Sequence, residues 1–76
     1  MSKKDQLLVD FGLNVRKYRT LAGISQEELA AKAGLHRTYI GMIERAEKNI
    51  TLINIGKVAS ALNIEIETLV KSTDDN

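Results

Sequence analysis

Arg37, Thr38, Tyr39 and Met42 put a guanidinium, two hydroxyls and a thioether within six positions of the chain. A guanidinium is a planar fork of donors that can engage two acceptors at once, and a hydroxyl can donate or accept. Cys is absent and His36 is the one histidine, so disulfides and thiolate or imidazole metal cages have no ligands to draw on. No carboxylate–His cluster and no Gly-rich phosphate loop occurs in the sequence. The expectation is therefore no catalytic site, no metal, no cofactor and no small-molecule ligand. The chemistry on offer is hydrogen bonding to the acceptors of another molecule.

Charge distribution narrows the choice of that molecule. Net charge is only +1, but residues 14–57 hold eight Lys or Arg against four Glu. Residues 63–76 hold Lys71 against Glu65, Glu67, Asp74 and Asp75. The middle of the chain can approach phosphates; its acidic end suits solvent or a partner. No run approaches the roughly 18 apolar residues of a membrane span. Lys3 and Lys4 are followed by Asp5, Gln6 and Asp10, so no secretory signal is expected and a cytoplasmic location is.

The elements that must position these groups read as helices throughout, in an all-α fold. Apolar residues at Leu7, Leu8, Phe11, Val15 and Tyr18 follow a helical rhythm and predict a first helix from about Lys4 to Leu21. Gly23 suits the left-handed position after it. Ser25-Gln26-Glu27-Glu28 is a capping box, opening a short helix to about Ala33. Gly34 makes a tight turn, and a third helix runs from His36 or Arg37 to about Arg45. After a polar connection, Thr51 caps a fourth helix to Leu62, with Leu52, Ile55, Val58, Ala59 and Leu62 inward and Asn63 ending it. A short fifth helix covers about Glu65 to Lys71. The chain reads as one domain, 1–76, with its core in about 8–70 and a frayed end at 72–76.

Two short helices across a glycine turn, residues 25–45, match a helix-turn-helix. Ala30 and Ala33 let the two helices cross closely. Leu35, Ile40 and Ile43 give the third helix an inner face, against which Leu29 and Ile24 pack. Arg37, Thr38, Gly41 and Met42 then point outward.

The run Ile24-Ser25-Gln26-Glu27-Glu28-Leu29-Ala30, with Ala33-Gly34-Leu35, Tyr39-Ile40 and Ile43-Glu44-Arg45, resembles the lambda-repressor-type (Xre) family over about residues 8–70. Leu35 to Ile40, then Ile43-Glu44-Arg45 and Asn49-Ile50-Thr51-Leu52, is similar to the controller proteins of restriction–modification systems. The resemblance implies a compact five-helix DNA-binding bundle acting in transcription regulation, with the third helix in the major groove of double-stranded DNA.

On that basis Arg37, Thr38 and Met42 are the candidate base readers, Arg37 through guanine O6 and N7 and Met42 through a thymine methyl or a sugar. Gln26, His36, Tyr39, Arg45, Lys48, Asn49 and Thr51 are candidate backbone contacts. For His36 a plain helix-start or capping role is the simpler reading, and Tyr39 serves equally as part of the core. Gly41 would let the DNA approach the helix closely. The resemblance also places Arg19 and Glu44 as a partly buried ion pair between the first and third helices. It puts Glu27 where lambda-type repressors carry an acidic contact to RNA polymerase, although a plain solvated charge is the simpler reading.

Two base-reading helices one DNA turn apart specify a site better than one, which favours a homodimer. Ile64, Ile66, Leu69 and Val70 are more apolar side chains than a short fifth helix needs, and some of them, with Ile53 or Leu62, are expected at a two-fold contact. A phage-type repressor or an antitoxin-type autoregulator would share all of these features. A protein–protein interaction module is the reading without DNA.

Overall fold

The computed structural model describes residues 3–73. They form five helices: α1 (Lys3–Leu21), α2 (Gln26–Ala33), α3 (Arg37–Glu44), α4 (Leu52–Leu62) and α5 (Ile66–Val70). No strand occurs among the described residues.

Local chemistry fixes the boundaries. The Ser25 hydroxyl accepts from the Glu28 amide, and the Glu28 carboxylate accepts from the Ser25 amide, each at 3.0 Å. Hydrogen bonding by the Ser25 backbone, and then by its side chain, holds the Glu28 carboxyl below its ordinary pKa. Gly34 ends α2 at φ 70°, and the next amide, Leu35, reaches back to the Ala30 carbonyl at 2.9 Å. Thr51 caps α4 by accepting from the Asn54 amide at 3.2 Å, and Asn63 ends it at φ 58°. The exit from α3 is a Schellman turn: Ala46 N–H donates to Ile43 O and Glu47 N–H to Met42 O. Its left-handed position, usually glycine, is taken by Ala46 at φ 59°.

Phe11 and Val15 of α1, Leu29 and Ala30 of α2, Ile40 and Ile43 of α3, Val58, Ala59 and Leu62 of α4 and Leu69 of α5 form one buried cluster. Contacts run between α2 and α3, between α1 and both α3 and α5, and between α2 and α4. The α1–α3 crossing is tight at Gly12, where an ideal Cβ would lie 2.5 Å from the Ile43 carbonyl oxygen. A glycine inside a helix weakens it; here it admits the neighbouring backbone.

Leu52 is not inward: it is 72% exposed. It is the first residue of α4, at the edge of a stripe set by Ile55, Val58 and Leu62, and burial falls on the later turns.

The end of the chain is tied down further than the expected fraying at 72–76 allows. The Asn14 side chain donates through Nδ2 to the Leu69 carbonyl at 2.9 Å and the Lys71 carbonyl at 2.8 Å. The Thr73 hydroxyl donates to Asp10 at 2.7 Å. Ser72 and Thr73 are half-buried. Buried carbonyls need donors, and Asn14 supplies them. Residues 74–76 lie outside the described residues.

Candidate nucleic-acid interface

The site is built on the start of α3. His36 is its N-cap: Nδ1 accepts from the Thr38 amide at 3.1 Å, which puts the ring proton on Nε2. His36 therefore caps the helix and still presents a donor. Arg37 and Thr38 are exposed on the first turn, while Met42, one turn on, is half-buried. Tyr39 is also half-buried and its hydroxyl accepts from the Asn54 side-chain Nδ2 at 3.3 Å. The ring of Tyr39 packs against the core, and its hydroxyl keeps a proton to donate.

Gly41 does not stand open to solvent. It is buried, because the side chains of Arg45 and Gln26 lie over it. Gln26, the first residue of α2, donates through Nε2 to Glu44 Oε1 at 3.0 Å. Glu44 is in turn held by Arg19, Nε to Oε2 at 2.7 Å, as the expected ion pair between α1 and α3. Arg19 also donates to the Ile24 carbonyl at 3.0 Å, so it fixes the entry to α2 as well. Glu44 holds the Arg19 guanidinium above its ordinary pKa.

Both candidate DNA-facing arginines carry carboxylate partners. Arg37 lies 3.3 Å from Glu27 and Arg45 lies 2.9 Å from Glu47. The hydrogen bond to Glu47 raises the Arg45 pKa. Lys48, Asn49 and Thr51 are exposed along the connection from α3 to α4. The Thr51 hydroxyl already accepts from the Asn54 amide, leaving its proton as the group available outward.

Thus two short helices across Gly34 present an exposed Arg-Thr turn, with Gln26 over the later part of α3 and a polar connection beyond it. The helix-turn-helix family model matches residues 15–69. The chain belongs to the helix-turn-helix family.

It is 51% identical over 57 residues to Control protein C.SmaI of Serratia marcescens, covering 75% of this chain and 68% of that protein. The fold is similar to the restriction-modification controller protein C.AhdI from Aeromonas hydrophila, at a TM-score of 0.80 and 50% identity over 82% of this chain and 94% of that one. It is also similar to SinR, a master regulator for biofilm formation solved in complex with DNA. There the TM-score is 0.77 and the identity 34%, over 80% of this chain and 98% of that one.

Within this helix-turn-helix protein the residues expected at a two-fold contact divide. Leu62 and Leu69 are 9% and 0% exposed and belong to the core of one chain. Leu69 is drawn in where Asn14 binds its carbonyl. Ile64 is half-buried against the same core. Ile53, Ile66 and Val70 are exposed, and so is Leu52. Val70 also borders a shallow apolar hollow lined by Leu7, Leu8, Phe11, Ile50 and Ile55.

Sequence reasoning missed Gly12, Asp10, Asn14 and Asn54, and the carboxylates paired with Arg37 and Arg45. Gly12 had a visible signal, a glycine inside an otherwise helical run. The partners of Asn14, and the Thr73 partner of Asp10, lie 55 to 63 positions away and left none.

No helix of the described residues is long and apolar enough to cross a membrane.

Proposed function

We propose that this chain is a sequence-specific transcription regulator of the controller type, which binds a pseudo-palindromic operator in duplex DNA as a homodimer. The observation that carries the reading is the exposed Arg37-Thr38 turn at the start of α3, with Gln26 one turn further on, beside Gly41. An α-helix fits the major groove, and outward residues at its start are the ones that reach base edges. Arg37 reads a guanine and Thr38 a neighbouring base; half-buried Met42 touches a methyl or a sugar at the edge of the contact. Gln26, His36, Tyr39, Arg45, Lys48, Asn49 and Thr51 bind phosphates on either side, which sets register and supplies salt-dependent affinity.

Ile53, Ile66 and Val70 supply the two-fold contact, with Leu52 at its margin. Such a protein works in the cytoplasm, where the DNA is. Placement of the operator decides the outcome: beside a promoter the dimer recruits RNA polymerase, and across it the dimer blocks access. Glu27 is the carboxylate that the resemblance offers for a polymerase contact, and in the free protein it pairs with Arg37.

Binding to a duplex from the gene's own upstream region, followed by fluorescence anisotropy against a random-sequence duplex, tests this. Arg37→Ala is expected to relax sequence preference by about 1–3 kcal/mol at one position of each half-site. Failure of the wild-type protein to bind any duplex in dilute salt would overturn the reading.

A further inference from the structure

Gly41 lies mid-way along α3, where a glycine weakens a helix relative to alanine. Its backbone gives no reason for the choice, since the positive-φ glycines are Gly23 and Gly34. The core gives none either. An ideal Cβ at Gly41 would lie 3.0 Å from Arg45 Nη1, 3.7 Å from Arg45 Nη2 and 3.6 Å from Gln26 Oε1. A guanidinium from the end of α3 crowds the space a side chain would fill, and a carboxamide from the start of α2 borders it at ordinary contact distance.

Each of those side chains is tethered by one nitrogen. Arg45 Nε donates to Glu47 at 2.9 Å, and Gln26 Nε2 donates to Glu44 at 3.0 Å. Glu44 is itself fixed by Arg19. The two terminal nitrogens of Arg45 are left over one bare turn of α3, and the Gln26 carboxamide lies over the same turn.

We infer that Gly41 is a positioning residue for DNA binding, the seat on which the Arg45 guanidinium lies beside Gln26, so that side chains of two helices meet the phosphate backbone as one preformed unit. This rests on the DNA-binding reading above. It replaces the expectation that Gly41 admits the DNA itself, because the space is already occupied. Preformed geometry matters here because a flexible arginine must otherwise be ordered at the moment of binding. The far end of Arg45 can shift without disturbing the core, so an added methyl displaces the guanidinium and spares the fold.

The test is a double-mutant cycle of Gly41→Ala and Arg45→Ala, read by binding to a random-sequence duplex over a range of salt. Gly41→Ala is expected to unfold at the same or higher temperature, yet to bind roughly threefold to tenfold more weakly, with a salt slope lower by about one. In the Arg45→Ala background the same substitution is expected to have no further effect. Equal losses in both backgrounds would mean that the duplex itself needs the glycine, and would overturn the seat, as would unchanged binding by Gly41→Ala. A second readout needs no DNA. Nitrogen relaxation at Arg45 Nε in the free protein is expected to report a restrained side chain that loosens in Gly41→Ala and in Glu47→Gln. If the wild-type protein bound no duplex the DNA reading would fail, while this measurement would still judge the seat: an Arg45 equally mobile in all three proteins would sink it.

Discussion

Arg19 grips both oxygens of Glu44, Nε to Oε2 at 2.7 Å and Nη2 to Oε1 at 3.1 Å, with only 15% and 3% of the two side chains exposed. A pair so placed differs from the exposed pairs at Arg37 and Arg45. Screening by water leaves exposed pairs worth at most about 1 kcal/mol. Removing one member of a buried pair strands the other charge and costs about 3–5 kcal/mol. Arg19→Met and Glu44→Leu are each expected to lose about 3 kcal/mol in urea unfolding, at the lower end of that range because Arg19 keeps some contact with water. The double substitution is expected to lose less than the sum. Two single effects near zero would refute this.

Gly12 and Gly56 are both inside helices, and alanine at the two is expected to act in opposite directions. At Gly12 the added carbon meets the Ile43 and Glu44 carbonyl oxygens at 2.5 and 3.0 Å, and backbone cannot step aside cheaply. Gly12→Ala is expected to destabilise by about 2–3 kcal/mol, the cost of overpacking. At Gly56 the nearest atom is Ile66 Cδ1 at 3.9 Å, an ordinary contact. Gly56→Ala is expected to stabilise by up to about 1 kcal/mol through helix propensity. Chemical denaturation of the two variants checks both signs.

The tie between Asp10 and Thr73 sets a pH dependence. Donation by Thr73, and then by Gln6, outweighs burial and lowers the Asp10 pKa. The folded chain therefore releases this proton more readily than the unfolded chain, whose carboxyl titrates near ~3.9. Stability from this group is present above that value and is lost as pH falls through the lower folded value. Glu28, lowered by Ser25, acts in the same direction. The urea midpoint is expected to hold between neutral pH and about 5, then to fall on further acidification. Thr73→Val is expected to shallow that fall, and an unchanged acid limb would count against the tie.

Ile66 and Val70 leave 38% and 37% of their surface to solvent on a five-residue helix, and Ile53 leaves 73%. If a second copy covers them, Ile66→Glu separates the copies without unfolding either. Sedimentation equilibrium is expected to show at least about tenfold weaker association, one buried charge being worth more than 1.4 kcal/mol. Far-UV circular dichroism is expected to be unchanged. A wild-type protein that sediments as a monomer at micromolar concentration would remove the two-fold contact.

Features decided by neighbouring residues were legible in the sequence. Ser25 with Glu28, Gly34, Thr51 and Asn63 each end or begin a helix where their chemistry places them. The Arg19–Glu44 pair was legible only through the family resemblance, because no local rule joins residues 25 apart. The division of apolar residues between core and surface was not legible. Leu69 and Val70 are adjacent and alike in type, yet one is buried and the other exposed. Consecutive residues point about 100° apart on a helix, so which of them faces inward depends on how α5 lies on α1, where Asn14 Nδ2 holds the Leu69 and Lys71 carbonyls. The covering of Gly41 escaped for a similar reason: it depends on where Arg45 and Gln26 fall in space.

Ala46 leaves α3 with φ 59°, a conformation that costs an alanine about 1 kcal/mol and a glycine almost nothing. A glycine there would make the exit a swivel, free to send the chain in several directions. Alanine has fewer courses open to it, and the two turn bonds to Ile43 and Met42 hold it to one. Arg45 and Glu47, on either side of this stiff joint, consequently project from a backbone whose heading is fixed before any other molecule arrives.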